Sequence, residues 1–130
     1  MKVRYALFCD HSNDTADGKL NLIGITDTLF AYSFPARHRE GHFVVSFVVD
    51  PADSGTKSQV ELRMIDADGK PILSSKSEIQ WPNDVRILNQ RHILHDIALA
   101  NAGSYRFEVL VEGEVLANCQ LEAQRIEKAN

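Results

Sequence analysis

The chain has 130 residues, 44% of them hydrophobic and 25% charged, close to the averages for a globular protein and unlike a disordered or disulfide-scaffold composition. Its net charge of -4, with a pI of about 5.7, gives no electrostatic reason to approach a phosphate backbone and argues against a nucleic-acid partner. No apolar run approaches the roughly 20 residues of a spanning helix, so one soluble, cytoplasmic domain over residues 1–130 with no membrane partner is expected.

The amino terminus carries positive charge ahead of apolar residues, but Asp10 ends the run before a signal-peptide core can form, and Met1 to Asp10 reads as a strand. Lys19 to Phe34 is too long for one ordinary strand, and Gly24 in its middle predicts two segments joined by a bulge or bend. Phe30 and Tyr32 are expected to face the core. Phe34 and the loop Pro35-Ala36-Arg37-His38-Arg39 stand open between core and surface. From His42 to Asp50, Phe43, Val45, Phe47 and Val49 share one face, while Val44 and Val48 sit on the other with His42 and Ser46. Apolar residues on both faces predict a central strand, closed by the loop Pro51 to Gly55.

Gln59 to Asp66 alternates with Val60, Leu62 and Met64 inward, and Asp68-Gly69 predicts a type I′ hairpin turn into a return strand from Pro71 to Trp81. Val85 to Ala100 is ambiguous in period and fits a strand better than a helix. Tyr105, Phe107, Val109 and Val111 alternate, Glu112-Gly113 turns the chain, and Val115 to Leu121 returns. Residues 122–130 have few apolar anchors and are expected to fray. The assembly is an all-β, antiparallel, immunoglobulin-like β-sandwich of about eight strands, with a closed barrel as the second choice. Tyr105, at the start of its strand after Gly103, is expected to be buried with its hydroxyl bonded to backbone.

Taken in order, Tyr5-Ala6-Leu7-Phe8-Cys9-Asp10, Gly18-Lys19-Leu20-Asn21-Leu22-Ile23-Gly24, Phe34-Pro35, Asp66-Ala67-Asp68-Gly69 and Gly103-Ser104-Tyr105-Arg106-Phe107 with Gly113 form a pattern. It resembles a family of short uncharacterised bacterial proteins over nearly the whole chain. The order and spacing of the motifs carry the resemblance, and Ile87 to Ala100 departs from it by being richer in histidine and arginine. The resemblance implies a β-sandwich and a bacterial source, and no reaction.

Candidate chemistry is sparse. Asp10, Asp14 and Asp17, with Asp66 and Asp68, could supply oxygens to calcium, but the spacing fails an EF-hand and aspartates in turns commonly bond nearby backbone N–H groups. Five histidines, His11, His38, His42, His92 and His95, raise zinc, and their spacing does not favour it. Cys9-Asp10-His11 holds the residue types of a nucleophilic enzyme, yet neighbours on a strand diverge and an apolar setting raises a thiol pKa. Cys9 reads as core, Cys9 and Cys119 as free thiols, and no phosphate loop or nucleophile elbow is present. No catalytic, cofactor or metal residue is therefore assigned. Phe34, Arg37, His38, Arg39 and Trp81 are the candidate partner-binding residues, because aromatic and basic groups are enriched at hot spots, although a buried Trp81 is the simpler reading. Lys57-Ser58-Gln59 and Ser74-Ser75-Lys76-Ser77 look like protected edge segments. The expected function is a non-catalytic protein-binding or self-assembly module, whose partner is another protein or a copy of the chain. A carbohydrate- or calcium-binding module is the alternative, and a small hydrolase ranks third.

Overall fold

Among the described residues nine strands form: β1 (Lys2–Asp14), β2 (Leu20–Ile25), β3 (Thr28–Ala31), β4 (Ala36–Val48), β5 (Lys57–Ile65), β6 (Pro71–Gln80), β7 (Ile87–Leu99), β8 (Gly103–Val111) and β9 (Glu114–Arg125). The structure is a computed structural model describing residues 1–127. The first sheet has the order β2-β1-β4-β7 and the second β3-β9-β8-β5-β6. They pack as an immunoglobulin-like β-sandwich, and β4 lies inside its sheet between β1 and β7, as its two apolar faces imply. The ambiguous stretch is strand β7.

One pair departs from antiparallel order. β3 runs parallel to β9, Thr28 to Ala31 against Glu122 to Arg125. The chain leaves the first sheet at Thr26-Asp27, beyond Gly24, where Thr26 Oγ1 accepts the Thr28 N–H and donates to the Thr28 carbonyl. Gly24, at φ +71°, instead lies within β2 against the Asp10 carboxylate. Residues 122–125 are consequently not a frayed tail: they pair with β3, Ala123 is buried, and only 128–130 lie outside the described residues. The Asp68-Gly69 turn is also not type I′, since Gly69 alone has positive φ. Asp66 Oδ1 accepts the N–H groups of Asp68 and Lys70 and sets a longer turn, which ends in a register shift between Met64 and Ile65. Ser74 to Ser77 lie on β6, a sheet edge, whereas Lys57 to Gln59 pair with β6 inside the sheet.

The core is built around aromatic rings. Phe107 stacks on Phe8 at 5.5 Å between centroids and tilts against Phe43 at 4.8 Å. The Phe8 ring crosses β4 directly over Gly41, where a Cβ would lie 2.3 Å from its tip. Trp81 is fully buried, its edge against Phe47 and its Nε1–H donated to Ser58 Oγ at 2.8 Å. Tyr105 is buried and its hydroxyl donates to the Asn101 carbonyl at 2.6 Å, which ties the β7–β8 connection to the strand start.

Candidate functional site: the outer face of the first sheet

An antiparallel sheet that covers a core on one side ordinarily turns polar residues to water on the other. The middle strands of the second sheet do so. Across its outer face Arg63 Nε and Nη2 both donate to Glu108 Oε1, Arg106 lies 3.6 Å from Glu108 Oε2, and Ser74 Oγ donates to Glu61.

The first sheet does not. Phe43, Val45 and Phe47 of β4 belong to the core, so the alternate residues His42, Val44 and Ser46 point outward. Their register partners are Ile93, Arg91 and Asn89 on β7, and Cys9, Leu7 and Tyr5 on β1. Ile25 sits opposite Cys9 and Ile23 opposite His11. One transverse row therefore reads Ile93, His42, Cys9, Ile25. Its ends are open, with Ile93 52%, Ile25 56% and neighbouring Ile23 55% exposed, while His42 and Cys9 between them are buried. Arg91, which donates to the Ser12 carbonyl and pairs with Asp14, and Arg4, which donates to Ser46 Oγ, frame the face.

At one end of this face β1 diverges from β4 after Cys9, and His11 turns against His42 with ring centroids 4.9 Å apart. Glu40, two residues before His42 on β4, places Oε2 3.4 Å from His42 Nε2 and Oε1 3.8 Å from His95 Nδ1. One ligand atom from each of His11, Glu40 and His42 falls within 4.8 Å of the others. Linear spacing hid this group because its members come from two strands. The available signal was Glu40-x-His42, two donors on one strand face.

The sequence-derived candidates fare unevenly. Trp81 is buried and unavailable to a partner, because its indole fills the core beside Phe47. Phe34 is half-buried and packs on the core cluster. Arg37, His38 and Arg39 belong to β4 rather than to a loop. Arg37 and Arg39 are exposed and line a shallow depression with His38, Glu40 and His95, while His38 packs its ring 5.9 Å from Phe8. Phe30 and Tyr32 do not face the core: Leu29 takes the inward position of β3, leaving them 59% and 53% exposed. Of the aspartates, Asp14 pairs with Arg91, Asp17 with Lys19, and Asp66 holds its own turn.

Burial decides the titration of both thiols and of His92. Cys9 is fully buried, donates to the carbonyls of His11 and His42, and burial pushes its thiol pKa up. Burial likewise raises Cys119 and lowers His92, which faces inward from β7. Both cysteines are free.

A family model matches residues 4–124, nearly the whole chain. The chain belongs to DUF6941, a family of unknown function. No curated protein sequence matches it. Among solved structures, it resembles part of the Pseudomonas fluorescens alkylpurine DNA glycosylase AlkC bound to DNA containing an abasic site analog. The TM-score is 0.51 at 13% identity, over 75% of this chain and 27% of that one. The chain thus spans about a quarter of the glycosylase, and at that identity the likeness concerns fold alone. It is also similar to an immunoglobulin-like protein from Pseudomonas aeruginosa, with TM-score 0.44 and 10% identity over 95% of this chain and 98% of that one. Among the described residues no helix is long and apolar enough to cross a membrane.

Proposed function

We propose that this DUF6941 protein is a non-catalytic, cytoplasmic assembly module that pairs with a second copy of itself through the outer face of the first sheet. The carrying observation is the row on the first sheet in which Ile23, Ile25 and Ile93 are each more than half exposed around a buried centre, whereas the middle strands of the second sheet carry the Arg63–Glu108–Arg106 ion pairs and its exposed Phe30 and Val115 lie on β3 and β9. Exposed apolar residues grouped on one sheet face, rather than scattered singly, mark an interaction site. The face is also self-complementary. A two-fold axis along the strands sets Ile25 of one copy over Ile93 of the other, twice, as an isologous contact requires. Strands about 4.8 Å apart and about 3.3 Å per residue over Glu40 to Val48 give a footprint on the order of 500 Å² per copy. That reaches the low end of specific interfaces, so the pairing is reversible.

Other readings find less support. A nucleophilic thiolate needs an exposed, electropositive setting, and Cys9 has the opposite. The rings expected to serve a carbohydrate site, Trp81 and Phe34, are buried and half-buried against the core, and the exposed Phe30 and Tyr32 lie at β3 beside β9. Sedimentation velocity from micromolar to millimolar chain tests the proposal. The expected result is a monomer–dimer equilibrium, abolished by Ile93→Glu and preserved in Phe30→Ser, which alters the second sheet. A monomer at every concentration would overturn self-pairing.

A further inference from the structure

We infer that His11, Glu40 and His42 form a binding site for one divalent transition-metal ion of the zinc type, at the end of the outer face where β1 leaves β4. Two imidazoles and a carboxylate are a donor set that suits such ions. A tetrahedral ion about 2.1 Å from each donor holds its ligand atoms about 3.4 Å apart. His42 Nε2 and Glu40 Oε2 stand at 3.4 Å, long for a hydrogen bond and matched to that span. The strand supplies the pair without rearrangement, because residues two apart share a face. His11 is exposed, and its ring already rests against His42 rather than against a carboxylate.

The surroundings hold His42 in place. Its ring is buried and its Nδ1 lies 2.7 Å from Ser12 Oγ and 3.0 Å from the Ser12 N–H. Without metal, the Ser12 N–H donates to Nδ1 and the imidazole proton sits on Nε2, toward Glu40. An ion at Nε2 moves that proton to Nδ1, where Ser12 Oγ accepts it, the outer-shell bond that ligating histidines usually make. The Ser12 N–H bond is given up in the exchange, which weakens binding relative to a closed four-ligand site. The fourth position falls to water or to His95, which already approaches the other oxygen of Glu40.

The test titrates Zn²⁺ into dilute, chelator-treated chain free of any affinity tag, by calorimetry, with Co²⁺ absorption reporting coordination. One equivalent is expected at micromolar affinity or better, weakened about tenfold or more by His11→Ala and by Glu40→Gln. Both residues are exposed, so the variants keep the fold, which a melt verifies. His92→Gln, on the inward face, leaves binding unchanged, and so does Ile25→Ser on β2, which weakens self-pairing without adding a carboxylate beside His42 and so separates this site from it. No saturable binding below millimolar, or equal binding by the His11 and Glu40 variants, would overturn the assignment.

Discussion

Replacing Tyr105 with phenylalanine removes one hydroxyl and leaves a ring that is 5% exposed in its place. The lost bond runs 2.6 Å to the Asn101 carbonyl, in the connection between β7 and β8. A net intramolecular hydrogen bond contributes about 0.5–1.5 kcal/mol. Asn101 is exposed, so water can satisfy its freed carbonyl and the penalty for an orphaned acceptor stays small. The expected loss is therefore about 1 kcal/mol. Unfolding entropy of about 2.1 cal/mol/K per residue converts this into a fall of about 4 °C in the melting midpoint. In urea, a slope of about 2 kcal/mol/M moves the midpoint by about 0.5 M. Calorimetry and a denaturant melt of Tyr105→Phe read both quantities. An unchanged midpoint with an unchanged slope would refute the idea that this hydroxyl fastens the corner.

Gly41→Ala places a methyl 2.3 Å from the Phe8 ring tip, and Phe8 is held by Phe107, so overpacking should cost about 2–3 kcal/mol in a thermal melt. Asp66→Ala removes the acceptor of two turn N–H groups and should cost about 1 kcal/mol, with the Asp68 and Lys70 amides exchanging faster. Burial lowers the folded pKa of His92 below its ordinary 6.5, so the unfolded chain binds its proton first. Stability should then be full above that value and fall as pH drops toward the depressed folded pKa, and His92→Gln should flatten this slope in melts at stepped pH.

Alternation in the sequence carried most of the fold. The two hairpins around β5–β6 and β8–β9 follow from strands whose inward residues recur every second position. β7 was harder because its phase changes within the strand. Asp96 has φ +51°, and past it Ile97 and Leu99 turn to the core, whereas Ile93 stays outside. No single period fits both halves. β3 is four residues long, too short for its own pattern to show that Leu29, rather than Phe30, points inward. Its parallel pairing with β9 also turned an apparent tail into a strand. The candidate site was largely hidden for a related reason. Apolar residues on both faces of β4 marked it as central, but only the topology shows that no third layer covers Ile23, Ile25 and Ile93 within the described residues. His11 reaches His42 through divergence of two strands, which linear spacing does not encode.

The central claim is that the outer face of the first sheet is the surface on which two copies meet, and amide NMR spectra of dilute and concentrated chain test it most directly. The expected shifts with concentration fall on Leu7, Ile23, Ile25, His42, Val44 and Ile93, while Arg63, Arg106 and Glu108 across the sandwich stay fixed. Concentration-dependent shifts that instead gather on Phe30, Tyr32 and the second sheet, or spectra identical at both concentrations, would contradict it.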